Sequence, residues 1–159
     1  MKETKQFDNQ SVYEHCISVK ENLIKVLDAL DSKQFDYKLP SWFKYSELIK
    51  PKLLPKEILY EYVLWHDIGK PYCIQIIDDT KHFPNHAKIS YDIYNQVFDN
   101  KIVAELILHD MDIHIIKEKD INQFIQNEYC LSLLVVGFAE IIANSEFFGG
   151  EESTSYKMK

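Results

Sequence analysis

The stretch PKEILYEYVLWHDIGKP, residues 55–71, decides how the rest of the chain is read. Pro55 suits the first turn of a helix, and Glu57 places a negative charge where the helix dipole favours it. Leu59, Tyr62, Val63 and His66 then recur at three- and four-residue steps, so one face is apolar and carries a histidine at its end. Gly69 is expected as a left-handed stop, and Pro71 as the residue that prevents continuation. A helix that delivers His-Asp at its C-terminus, inside an apolar face, sets the question for the remaining sequence.

Upstream, Val12, Cys16, Val19, Leu23, Val26, Leu27 and Leu30 mark a helix over 11–30, with His15 beside its stripe. Residues 31–54 are cut into short pieces by prolines, with Trp42 and Phe43 expected to pack on the surface. Downstream, 72–85 fit either a short hairpin or a loop. Asn85 is expected to cap a helix carrying His86, Ser90, Ile93 and Val97 on one face; another begins near Lys101 and aligns Ile102, Leu106 and His109. The run from Cys130 to Phe148 is apolar almost all round and so belongs at the centre, ended by Gly149-Gly150. The 4 glycines and 5 prolines in 159 residues argue against a many-stranded β-protein. The expected fold is all-α: one compact bundle of about six or more helices over 11–148, a metal site between helices, and a surface tail over 149–159. No repeat or linker suggests a second domain within 1–159.

The chain carries a net charge of −7, and all 18 basic residues are lysine. That argues against an extended nucleic-acid groove, and phosphate would have to be met by Lys, backbone N–H or metal. Cys16, Cys73 and Cys130, far apart and odd in number, read as reduced thiols of a cytoplasmic protein. No signal peptide or membrane span is visible.

His15, His66, His86 and His109 lie on or beside the apolar faces of four different helices. One such histidine is usually a satisfied core residue; four on inward faces, each with two nitrogens to satisfy, are hard to explain by packing. Asp67 follows His66, and Glu140 sits within LLVVGFAEII, where an unpaired carboxylate costs several kcal/mol. A cation held by imidazoles and carboxylates resolves both; pairing of Glu140 with a lysine and capping by Asp67 are the bland alternatives. Gly137, one turn before Glu140, leaves room for a neighbouring atom. Lys70 is either a phosphate-facing ammonium or an ordinary lysine at a helix C-terminus. Asn144 hydrogen-bonds a metal ligand or substrate hydroxyl, or ties two helices. Asp110, Asp112 and His114 in LHDMDIH read as a solvated helix end, with support of the metal ligands or a place at the pocket rim as the alternative. His82 reads as a loop residue, with contact to substrate as its alternative.

The succession YEHC (13–16), LWHDIGKP (64–71), His86, His109 and FAE (138–140) resembles the HD superfamily of metal-dependent phosphohydrolases. The resemblance implies a metal set of His15, His66, Asp67 and Glu140, with Glu140 standing where the family normally has Asp. It implies a second ion held by His86 and His109 and bridged by Asp67. Asp67 and Lys70 would then serve catalysis, and Lys70 and Asn144 would bind substrate. The ions would be two divalent transition metals among Mn, Fe, Co, Ni and Zn. The implied activity is hydrolysis of a phosphomonoester or phosphodiester of a nucleotide by a metal-activated water. Weaker likeness of HFPNHAKIS, LHDMDIH and FFGGEESTSYK to small HD modules of RNA-end repair extends this to nucleic-acid ends. A di-iron oxygenase of the same superfamily, or a non-catalytic sensing or scaffold module, stands as the alternative.

Overall fold

The computed structural model describes residues 1–36 and 38–150, and for Glu146 the backbone only; the rest of the expected tail, 151–159, lies outside the described residues. A two-stranded ribbon, β1 (Lys5–Phe7) and β2 (Gln10–Ser11), leads directly into α1 (Val12–Ser32). Ser11 and Glu14 form a reciprocal capping box there: the Ser11 hydroxyl accepts from the Glu14 N–H, and the Glu14 carboxylate accepts from the Ser11 N–H. The helix therefore starts at a defined residue, with His15 one turn in.

After a left-handed Lys33 the chain passes through short helical turns, among them α2 (Ser46–Ile49), to α3 (Lys56–Trp65) and α4 (Lys70–Cys73). The segment left open between hairpin and loop is a hairpin, β3 (Gln75–Ile77) and β4 (Thr80–His82). Its two central residues, Asp78 and Asp79, both have positive φ (48° and 59°), the primed turn whose twist matches paired strands. Then follow α5 (His86–Val97), α6 (Lys101–Leu108), α7 (Asp112–Ile115), α8 (Ile121–Phe124) and α9 (Cys130–Asn144). A last 3-10 turn, Ser145–Phe148, closes on the Gly150 N–H, which donates to the Ser145 carbonyl.

The main packing is α1 against α9, with α3 against α1 and α6, and α5 against α6. Leu23, Leu30, Leu59, Leu106, Ile107 and Leu133 are each almost wholly buried at its centre. Burying such a side chain contributes roughly 1.5–3 kcal/mol, so these contacts dominate the favourable term for folding. Trp42 and Phe43 are not surface packing: Phe43 is buried, and Trp42 stands edge-on to Phe138 of α9, at 5.7 Å between ring centres. Among the described residues no helix is long and apolar enough to cross a membrane.

Four local expectations are corrected. Gly69 is not left-handed (φ −79°); it is required because a Cβ there would lie 2.6 Å from the Ser90 backbone nitrogen and 2.7 Å from the His86 carbonyl oxygen. Pro71 does not merely stop a helix but sits in the first turn of α4. Asn85 is left-handed (φ 56°) and makes no side-chain cap. The faces of α5 and α6 are also turned from those expected. α5 buries Ala87, Ser90 and Tyr94 while Val97 is exposed, and α6 buries Val103, Ala104, Leu106 and Ile107 while Ile102 is exposed.

Candidate metal centre

Three helices converge on one point. α1 contributes His15, wholly buried; the end of α3 contributes His66, and the following turn Asp67, both buried; α9 contributes Glu140. His15 Nε2 lies 3.7 Å from Asp67 Oδ2 and 3.7 Å from Glu140 Oε1, and His66 Nε2 lies 3.3 Å from Asp67 Oδ2. Two ligand atoms bound at about 2.0–2.2 Å to one cation stand roughly 3–4 Å from each other, so these separations suit shared coordination better than direct hydrogen bonding. One ligand atom each from His15, His66 and Glu140 falls within 4.8 Å of the others.

Two of the imidazoles, those of His66 and His86, are held for that task. His66 Nδ1 donates to the Val63 carbonyl at 2.8 Å, which leaves the lone pair on Nε2, the nitrogen that faces Asp67. Cys16 Sγ lies 3.8 Å from the same Nδ1, on the side away from the carboxylate. His86 Nδ1 likewise donates to the Phe83 carbonyl at 2.9 Å, and its Nε2 lies 3.5 Å from Asp67 Oδ1. Asp67 thus presents Oδ2 to His15 and His66 and Oδ1 to His86. The Ser90 hydroxyl accepts from the Gly69 N–H at 2.8 Å, seating α5 on the turn that carries Asp67. Close approach at Gly69 is what brings His86 into range.

Gly137 plays the corresponding part for α7. A Cβ there would lie 2.6 Å from Ile113 Cγ2, so the bare backbone of α9 receives Ile113 and brings α7 against it. The next residue, His114, meets Glu140: Nε2 to Oε2 is 2.7 Å. The additional methylene of Glu140 lets it turn one oxygen towards His15 and the other towards His114.

His109 does not join this cluster, a correction to its expected role as ligand. The inward face of α6 is Val103, Ala104, Leu106 and Ile107, and His109 follows the helix end with its side chain 37% exposed. Its Nδ1 bonds Asp112 at 2.8 Å, beside a separate cavity lined by Ile116 and Phe124. The residue that does reach the centre is His114, which takes the pocket-rim alternative and not that of a solvated helix end. Gly137 signalled a close approach beside Glu140, but that Ile113 fills it, and so brings His114 in, is fixed only by the fold. Asp110 is no surface acid either: it is buried and accepts from the Tyr62 hydroxyl, and burial pushes its carboxyl above the usual range.

Lys70 is buried, not solvated. Its Nζ donates to Asp67 Oδ2 at 2.6 Å and to Gln6 Oε1 of β1 at 2.9 Å, and lies 5.4 Å from the centre of the Phe83 ring. Asn144 lines the cavity of about 340 Å3 that opens on Lys70, His86, His114 and Glu140, and its buried Oδ1 has no hydrogen-bond partner. His82 is exposed at the rim of this cavity.

Electrostatics agree with the geometry. Burial works against charge at Asp67, yet His66 and Lys70 hold its carboxyl far below the usual range. Burial likewise opposes a charged His66, yet the Asp67 carboxylate holds it well above the ordinary imidazole value. At Glu140 burial is again outweighed, by His114 and His15. The pocket therefore favours positive charge at its centre, whether carried by protons or by a cation.

The donor set fits a divalent cation on one further observation. Nε2 of His15, Nε2 of His66 and Oδ1 of Asp67 are buried without hydrogen-bond partners, a costly arrangement in a core unless another group satisfies them. Comparison with curated proteins and with solved structures gives no match. The family model described as HD domain matches residues 12–145, which embraces α1 through α9 and every donor named above, and the chain belongs to the HD superfamily of metal-dependent phosphohydrolases.

Proposed function

We propose that this protein hydrolyses a phosphomonoester or phosphodiester of a nucleotide or nucleic-acid end by attack of water. The observation that carries the reading is the convergence of His15, His66, Asp67 and Glu140 with buried, unpartnered donor atoms. These four would hold one divalent ion. His86, which faces Asp67, would contribute to a second, with His114 bonded to Glu140 beside it. A bound divalent cation supplies Lewis acidity to a phosphoryl oxygen and lowers the pKa of water towards neutrality.

The chain's own groups account for the remainder. Asp67 stands between three imidazoles, with His15 and His66 facing Oδ2 and His86 facing Oδ1, and it bonds Lys70 directly. The Lys70 ammonium faces the cavity and offers a point charge to a non-bridging phosphoryl oxygen, where charge grows in the transition state. Gln6 and the Phe83 ring hold it there in the absence of any arginine. A cavity of about 340 Å3 in an acidic protein favours a small or terminal substrate over a long polymer. The three free cysteines suit a reducing compartment, and we place the protein in the cytoplasm.

Elemental analysis of the purified chain, followed by a phosphoester panel with Mn, Co and Ni, tests the reading. Near two equivalents of metal and phosphate release are expected, both greatly reduced in His66→Ala and Asp67→Ala. His109→Ala should keep its metal. Bound iron with oxygen uptake and no phosphate release would select the oxygenase instead, and a metal-free, inactive native chain would select a non-catalytic module.

A further inference from the structure

We infer that Phe148 is the platform on which the base of a single nucleotide stacks, at the far end of a substrate wall that begins at Glu140. The inference deepens the phosphohydrolase reading above and rests on it. Glu140, Asn144 and Phe148 all line the same cavity and follow one another at four-residue steps. The α-helical rise to Asn144 and the 3-10 rise beyond it separate the first from the last by roughly 14 Å, enough to span a nucleoside monophosphate from phosphate to base.

Phe148 is a large apolar side chain left 45% exposed at that rim. It is nevertheless fixed in orientation. Phe7 of β1 stacks on Phe147, with ring centres 4.0 Å apart and planes 6° apart, and meets Phe148 edge-on at 6.3 Å and 88°. An aromatic packed edge-on against one that is itself stacked, and partly exposed at a cavity mouth, loses little conformational entropy when a flat ring docks on it. Between Phe148 and Glu140 stands the buried Asn144 Oδ1, an acceptor without a donor, suited to a sugar hydroxyl. Lys81, at the rim on β4 and 3.5 Å from the exposed Asp8 carboxylate, adds a cation near the ligand. A cavity of about 340 Å3 lies near the lower limit for ligand sites, roughly 300–1,000 Å3, which admits one nucleotide unit.

Isothermal titration of the full chain, as purified, with non-hydrolysable phosphonate analogues of adenosine 5′-monophosphate and of ribose 5-phosphate separates base from phosphate. The adenosine compound should bind roughly tenfold or more tightly, and Phe148→Ala should collapse that ratio towards one. Phe148→Leu, which keeps apolar bulk without a ring, should collapse it too. Asn144→Leu should instead weaken both compounds alike. Equal affinity of the native chain for the two phosphonates overturns the platform, even if both parent esters are hydrolysed. The expected preference without any phosphate release supports the platform and refutes the hydrolytic reading, so the two failures are distinct.

Discussion

Gly69 shows how one absent side chain positions a site. Its N–H donates to Ser90, and α5 lies so close that a methyl group would meet backbone atoms of Ser90 and His86 at 2.6 and 2.7 Å. Backbone cannot swing aside as a flexible side chain can, so α5 would have to move, and His86 with it. Gly69→Ala is therefore expected to cost roughly 1–3 kcal/mol of stability, read as a lower urea midpoint, together with a lower metal content. An unchanged midpoint would mean that the close approach is not essential. His66, Asp67 and Glu140 were legible from sequence because each is an ionisable group inside an apolar pattern. His114 was not, since its role depends on Ile113 filling the notch at Gly137, a contact between segments 24 residues apart.

At the scale of elements, a polar tie joins α3, α5 and α6. The Tyr94 hydroxyl of α5 donates to Glu61 of α3, and the Asn100 side chain at the start of α6 donates to the same carboxylate at 3.1 Å. Burial, and then the Glu61 carboxylate, push the Tyr94 phenol above its ordinary value. A group whose folded pKa is raised contributes stability that is fully present below the unfolded pKa, about 10 for tyrosine, and is lost as pH rises beyond it. Tyr94→Phe should thus be less stable than the native chain by roughly 1 kcal/mol at pH 8, and the gap should narrow above about pH 10. Urea denaturation of both proteins at the two pH values measures it; a gap that widens at high pH would contradict the assignment. Helix existence was legible here from three- and four-residue spacing. The buried faces of α5 and α6 were not, because an apolar residue at a helix end, such as Val97 or Ile102, is buried only if a neighbour covers it.

For the whole molecule, the centre joins α1, α3, α5, α7 and α9, and within it buried atoms of His15, His66 and Asp67 have no hydrogen-bond partner. Cation binding should consequently stabilise the entire fold. At a free metal concentration a hundred times the Kd, the gain is about 2.7 kcal/mol. Thermal melting of chelator-treated protein with and without Mn, Co or Ni measures it, and the midpoint should rise with metal concentration. A midpoint indifferent to metal would separate the cluster from any ligand role. The same experiment on His66→Ala should show little rise, since that variant lacks one of the converging donors.

Sequence alone determined the all-α class and the order of the principal helices, and it marked His15, His66, Asp67 and Glu140 as ionisable groups set in or beside apolar patterns, because periodicity and the cost of burying charge are local properties of the chain. Tertiary structure decided which further histidine reaches the centre, how Lys70 is held, and that Phe148 stands at the cavity rim. These depend on the rotation of each helix about its axis and on two glycine contacts, quantities set by the packing partner and not by the segment itself.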